Sequence, residues 1–123
     1  MKITKNFSLS EFDCSDGSKV PKKLIKNVKL LAEQLQILRD YLNTPIKINC
    51  GYRTESHNKK VGGVKNSQHR KAAAADIIVP GVPALRVQKT IEILINNGKM
   101  KEGGLGSYHT FTHYDIRSKK ARW

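Results

Sequence analysis

The sequence has few acidic residues for its size. It contains 10 aspartates and glutamates against 23 lysines and arginines, which gives a formal net charge of +13 and a pI near 10.0. A charge of this size favours anionic partners such as nucleic acid, an anionic membrane surface or an acidic wall polymer, but it does not define a fold. Because acidic residues are scarce, a carboxylate at a position where such residues are uncommon is a candidate catalytic or metal-binding residue.

Cysteines and long apolar stretches are also scarce. Cys14 and Cys50 are too few for a disulfide scaffold and lack the C-x-x-C spacing of a structural zinc site. We interpret them as buried thiols, with a bridge between them as the alternative. No stretch approaches the roughly 20 apolar residues of a membrane span, and MKITKNFSLSEF lacks the apolar core of a signal peptide. We therefore expect synthesis in the cytoplasm, with action on any external target only after release.

The remaining sequence predicts one α+β domain over residues 1–123. Apolar residues recur every three or four positions across 24–42 and again across 84–94, which predicts two main amphipathic helices. Alternating or apolar runs at 46–50, 76–79 and 112–117 predict short strands. The simplest fold that combines these elements is a small, mostly antiparallel sheet with two main helices packed on it.

Two aspartates, Asp76 and Asp115, lie in strand-like runs, where carboxylates are depleted. His69 precedes Asp76 by seven residues, with four alanines between them. Seven residues span about 10.5 Å on a helix, and on one strand an odd spacing points side chains to opposite faces. The two side chains can bind one metal ion only if the chain bends between them. The run of small residues is compatible with such a bend and equally with a short buried helical turn.

The last strand supplies a second histidine. His113 and Asp115 are two residues apart, so they share one face of the strand. Together with His69 and Asp76, His113 gives two histidines and one carboxylate, a set that binds catalytic zinc and leaves one position for water. Asp115 would then act as a general base or as a partner that orients His113. His109 would lie about 13 Å further along the strand, at the rim of such a site.

These residues are parts of a longer pattern. SQHRKAAAAD (67–76) and FTHYD (111–115) match S-x-H-x-x-(G/A)-x-A-x-D followed by F-x-H-x-D. With FSLSEF (7–12), GYRT (51–54) and RW (122–123), the chain resembles the zinc D-alanyl-D-alanine carboxypeptidase family. That superfamily also includes phage L-alanyl-D-glutamate endopeptidases, the vancomycin-resistance D,D-peptidases and the hedgehog signalling domain.

The resemblance implies a fold and an activity. The fold would be the family's small α+β domain, and the zinc ligands would be His69, Asp76 and His113. Arg53 would hold the substrate carbonyl or carboxylate. The reaction would be hydrolysis of an amide bond next to a D-amino acid in bacterial peptidoglycan, by a carboxypeptidase or an endopeptidase. A phage or prophage lysis enzyme is a natural setting, and the basic surface suits an anionic cell-wall polymer.

Two positions depart from the family pattern. Ala72 stands where the family usually has glycine, and alanine is strained if that position needs a positive φ. Thr110 stands where many relatives have the acid that serves as general base, three residues before the last ligand. Asp115 is therefore the first candidate for the base and His109 the second.

Two other functions stay open at this point. A non-catalytic, zinc-containing wall-binding module of the same fold is the main alternative, because the hedgehog domain shows that the fold can keep zinc without acting as a peptidase. A nucleic-acid binder is compatible with the charge, but the sequence carries no RNA-recognition, zinc-finger or helix-turn-helix signature.

Overall fold

A five-stranded sheet organises the computed structural model of the chain, which describes residues 1–123. The elements in chain order are α1 (Ile25–Leu42), β1 (Lys47–Cys50), α2 (Glu55–Lys60), β2 (Ala74–Ile78), α3 (Ala84–Asn96), β3 (Gly104–Ser107), β4 (Thr112–Asp115) and β5 (Ala121–Arg122). Short 3-10 turns lie at Leu9–Phe12, Lys22–Leu24 and Gln68–Lys71. The predicted α+β class with a mostly antiparallel sheet is confirmed.

The strand order β1-β2-β4-β3-β5 places β2 and β4 next to each other in the middle of the sheet. All pairs are antiparallel except β3 with β5. In this register Asp76 on β2 lies opposite His113 on β4, and Cys50 on β1 lies opposite Asp76 on the other side. Residues that are remote in the sequence therefore meet through the pairing of the central strands.

Helices α1 and α3 form where the apolar periodicity predicts them. Each presents one buried stripe to the sheet, and Asn43 in the left-handed conformation ends α1. The buried residues of the two helices are Val28, Leu31, Ala32, Leu35, Leu38, Val87, Gln88, Thr90, Ile91 and Leu94. Removing this apolar surface from water is the main source of stability for a domain of this size.

Several elements differ from the sequence prediction. Two of the four alanines belong to β2, the last predicted strand ends at Asp115, and the glycine-rich GGLG segment forms β3. Helix α2 and strand β5 were not predicted. Glycine disfavours strands, but a Cβ at Gly104 would clash with the carboxylate of Asp115, so the space that glycine leaves is filled by a neighbouring strand's side chain.

The remaining expectations concern cysteines and membrane spans. Cys14 is buried, Cys50 is half-buried, and both are free thiols. None of the helices combines the length and the apolar character that crossing a bilayer requires.

The chain bends sharply at Ala72, between the 3-10 turn and β2. Ala72 has φ 56° and ψ 32°, the left-handed conformation in which a Cβ is strained, and its side chain is buried. The strain is about 1–2 kcal/mol, and the methyl group regains about 0.8 kcal/mol by burial.

We therefore expect Ala72→Gly to stabilise the protein by up to about 1 kcal/mol, measured as a small rise in Tm. Ala75→Gly is the matched control, since Ala75 is equally buried but lies in the regular part of β2. That variant should lower Tm. A fall in Tm for both variants would contradict the strain at Ala72.

Candidate metal centre

The 3-10 turn Gln68–Lys71 aims the side chain of His69 at the sheet. Ser67 caps this turn, with its Oγ accepting a hydrogen bond from the His69 backbone N–H at 3.2 Å. The left-handed residue Ala72 then turns the chain into β2. As a result, the His69 Nε2 lies 3.3 Å from Oδ1 of Asp76, although seven residues separate them.

His113 approaches the same carboxylate oxygen from β4. Its Nδ1 lies 3.0 Å from Oδ1 of Asp76, and the centroids of the two imidazole rings are 5.2 Å apart. His69, Asp76 and His113 are each at most 7% exposed. The structure thus brings together the three residues that the resemblance implies as metal ligands.

The outer nitrogen of each imidazole is held by an acceptor. Nδ1 of His69 donates to the Gly51 carbonyl at 2.7 Å, and Nε2 of His113 lies 2.7 Å from Oδ2 of Asp115. With hydrogens on those nitrogens, the inner nitrogens face Asp76 with lone pairs. Three electron-pair donors facing one another in a buried place are favourable only with a metal ion or a proton between them.

The donor set fits zinc in type, and the two imidazole-to-Asp76 distances fit it in spacing. Cys50, His69 and Asp76 also offer ligand atoms that all lie within 4.8 Å of one another. Two imidazole nitrogens and a carboxylate oxygen are ligands of catalytic zinc sites. Ligands bonded at about 2.0–2.1 Å to a tetrahedral ion lie roughly 3.4 Å apart, close to the observed 3.0 and 3.3 Å.

Asp115 is enclosed behind His113. Its side chain is fully buried and accepts hydrogen bonds from the Gly104 backbone N–H at 2.9 Å and from Arg117 Nε and Nη2 at 2.8 and 2.7 Å. Burial acts to raise the pKa of Asp115, but the hydrogen bonds from His113 and Arg117 outweigh it and hold the pKa well below its usual range. The carboxylate therefore contacts His113 from behind and is not among the residues that line the cleft.

Arg53 lies at the edge of the centre. Its Nη1 donates to Oδ1 of Asn58 at 3.2 Å, and its Nη2 lies 3.8 Å from Oδ2 of Asp76. The buried Nε has no hydrogen-bond partner. An enclosed Nε cannot contact a ligand in the cleft. Nη2 makes only the 3.8 Å contact to Asp76, so it is the guanidinium atom that is suited to an acceptor on a ligand.

A cleft of about 470 Å³ opens above the three ligands. Arg53 and Arg117 lie in its walls, together with three aromatic residues, Tyr108, Phe111 and Trp123. His109 and Thr110 are exposed in the turn between β3 and β4 and are not among the lining residues. The structure therefore separates His109 from the three ligands.

Three supporting groups were not identified from the sequence. The Gly51 carbonyl holds His69, Arg117 holds Asp115, and the Cys50 Sγ lies 3.7 Å from Nδ1 of His69. The sequence motifs that contain the three ligands do not locate these supporting groups, because each contact depends on how separate segments pack.

A second group of donors lies away from the cleft. Cys14, Asp16 and His57 have ligand atoms within 4.8 Å of one another. Asp16 accepts a hydrogen bond from Thr54 at 2.8 Å, and His57 is bonded to Ser15 at 2.9 Å. These contacts attach the 14–18 loop to the start of α2, next to Arg53.

Comparisons with known proteins gave two matches. The family model described as Peptidase M15 matches residues 5–115. A Haemophilus influenzae protein named probable peptidoglycan L,D-endopeptidase MepK is 39% identical to this chain over an alignment of 80 residues, and the match covers 59% of this chain. The match covers 40% of that relative's length.

The site predicts an unusual titration of His69 in protein freed of metal by a chelator. Burial lowers the pKa of His69, but the hydrogen bonds and charges of Asp76 and Cys50 outweigh it and raise the pKa to about 9. We expect an NMR titration midpoint near that value, against about 6.5 for an ordinary histidine. Because a metal ion must displace this proton, affinity for zinc should rise with pH up to the same value.

Asp76→Asn should move the His69 midpoint down, whereas Asp40→Asn, an exposed change on α1, should leave it in place. A midpoint near 6.5 in the unaltered protein would contradict the convergence of these groups.

Proposed function

The chain belongs to the peptidase M15 family, and on that premise we propose that it is a zinc-dependent peptidase acting on bacterial peptidoglycan. The bond cut would be an amide next to a D-amino acid in a stem peptide or cross-link. The observation that carries the proposal is the meeting of His69, Asp76 and His113 at the floor of an open cleft.

His69 Nε2, His113 Nδ1 and an Asp76 oxygen would hold the ion. Bound there, zinc supplies a Lewis acid that polarises the scissile carbonyl and lowers the pKa of a water molecule towards about 7. Two neutral imidazoles and one carboxylate leave a net positive centre, which favours the negative charge that develops on the carbonyl oxygen.

Arg53 would bind the substrate beside the ion. Its Nη2, which makes only the 3.8 Å contact to Asp76, and its position in the cleft wall support hydrogen bonding to a carbonyl or carboxylate of the peptide. Such a contact holds the scissile bond in place and adds to the stabilisation of the oxyanion.

The contacts of Asp115 support the orienting role for this residue rather than that of general base. All of its hydrogen-bonding capacity is directed to His113, Arg117 and the β3 backbone. His109 is then the remaining candidate proton acceptor. It lies in the exposed turn between β3 and β4, outside the cleft lining, so this turn would have to move for the His109 ring to reach the attacking water. His109 would take a proton from the attacking water and return it to the leaving amine.

The proposed substrate rests on the family and on charge. The Haemophilus influenzae relative is named as a probable peptidoglycan L,D-endopeptidase. A net charge of +13 favours a wall that is rich in carboxylates and phosphates, and an anionic wall polymer is accordingly a proposed partner.

Digestion of purified peptidoglycan tests this function. We expect new amino and carboxyl termini, identified by mass spectrometry, that vanish after chelation and return with added zinc. Asp76→Ala should abolish both zinc binding and cleavage, while Asp40→Ala should retain both. Zinc binding and wall binding without new termini would identify the non-catalytic module instead, and cleavage that survives complete zinc removal would refute the mechanism.

The role of Asp115 predicts a specific combination of defects. Asp115→Asn keeps the shape of the side chain but removes the charge that orients His113, so zinc affinity and kcat should both fall by about 10–100-fold. Loss of kcat with unchanged zinc affinity would instead indicate a general base. In the matched variant His109→Ala, that second pattern is the expected one, with a loss of about 100-fold or more.

A further inference from the structure

One wall of the cleft carries an aromatic surface that the proposed mechanism does not use. Tyr108, Phe111 and Trp123, here called the aromatic shelf, line the cleft beside the metal centre. Tyr108 and Trp123 are 42% and 46% exposed. Exposed aromatic groups inside a cleft, rather than scattered over a surface, indicate a binding site.

The shelf is rigidly built. The rings of Tyr108 and Phe111 stack at 4.3 Å with planes 10° apart, and Trp123 Nε1 donates to the Tyr108 hydroxyl at 2.8 Å. Pairing of β5 with β3 fixes the Trp123 backbone, whose carbonyl accepts from the Ser107 N–H at 2.7 Å. The orientation of the rings is therefore set by the fold, which reduces the entropy lost on binding.

Two further residues contact the indole of Trp123 and hold it in position. Any side chain at Gly106 would clash with the indole, so glycine at this position lets the ring lie against β3. The Arg117 guanidinium lies 5.1 Å from the ring centroid, within the range of a cation–π contact. The indole centroid is 5.0 Å from that of His113, so a group bound on the shelf would be adjacent to the scissile bond.

The chemistry of the shelf differs from that of Arg53, which also lines the cleft. Arg53 offers its Nη2 to a charged or carbonyl group, whereas the shelf offers flat apolar faces with polar atoms at their edges. The group in peptidoglycan that matches is the pyranose ring of an amino sugar. Its axial C–H bonds are directed at an aromatic face, which is electron-rich, and its hydroxyl and amide groups point outwards.

We propose that the aromatic shelf binds an amino-sugar ring of the glycan strand, so that the sugar and its attached peptide enter the cleft together. This inference rests on the proposed peptidoglycan substrate and adds a specificity-determining surface to it. The enzyme would then cut near the sugar end of the stem peptide and would discriminate against peptides from which the sugar has been removed.

Trp123 is the only tryptophan of the chain, so its fluorescence reports on the shelf directly. The experiment titrates the N-acetylglucosamine–N-acetylmuramic acid disaccharide into the full chain in the presence of a chelator, which removes any dependence on the metal or on hydrolysis. We expect a saturable change in Trp123 emission. A parallel titration uses a stem peptide without sugar, which should leave the emission much less affected.

Variants of Tyr108 distinguish stacking from a general effect. Tyr108→Ala should weaken disaccharide binding by about tenfold, the equivalent of one aromatic contact. Tyr108→Phe keeps the ring but removes the hydroxyl that accepts from Trp123 Nε1, so it should bind the disaccharide less tightly than the unaltered protein and more tightly than Tyr108→Ala. Tyr41→Ala removes an exposed tyrosine from α1 and should have no effect.

Absence of an emission change with the disaccharide would overturn the proposal, as would a response to the free peptide alone or equal binding by the Tyr108→Ala and Tyr41→Ala variants. Failure of the wall-digestion experiment leaves this fluorescence result intact, so the two failures are distinguishable.

Discussion

The pairing of β2 with β4 is the constraint on which the site depends. It sets Asp76 directly opposite His113, and the left-handed residue Ala72 brings His69 to the same carboxylate. A shift of one residue in this register would turn Asp76 and His113 to opposite faces of the sheet. Ala75 and Ile77 of β2 belong to the same buried core as the apolar stripes of α1 and α3, and the shift is prevented because it would also expose them. Stability of the core and geometry of the site are thus two consequences of one register.

A second set of contacts stiffens this arrangement. Asp115 is a fully buried carboxylate, which is unfavourable unless its charge is compensated. The bidentate contact from Arg117 and the N–H of Gly104 supply the compensation, and the remaining acceptor capacity holds the His113 ring. Removing one partner would leave a buried charge unpaired. The network therefore contributes little net stability, but it restricts His113 to one orientation.

The sequence was sufficient to predict those parts of the fold and of the site that depend on the local pattern of residues. The leucine stripe of α1, the shared face of His113 and Asp115 and the need for a bend between His69 and Asp76 all follow from the periods of helices and strands. The family pattern supplied the ligand set. Strand β3 was missed because its glycines are selected by the space that Asp115 and Trp123 occupy, not by strand propensity. The Gly51 carbonyl and the Arg117 contact were missed for the same reason, since both depend on packing between segments.

The distribution of charge explains how a strongly basic chain can operate an acid-containing site. The two carboxylates of the site are internal. Asp115 is compensated by His113 and Arg117, and Asp76 would be compensated by a cation held together with the two imidazoles. Neither carboxylate then reduces the positive potential of the cleft, whose lining includes Arg53 and Arg117. Peptide carboxylates are therefore attracted towards Arg53, whose Nη2 makes only a 3.8 Å contact to Asp76. Arg117 is engaged by Asp115, so the aromatic shelf beside it is left to the part of the substrate without charge. Charged and aromatic groups in one cleft thus separate the parts of a substrate by their chemistry, which orients it across the metal centre.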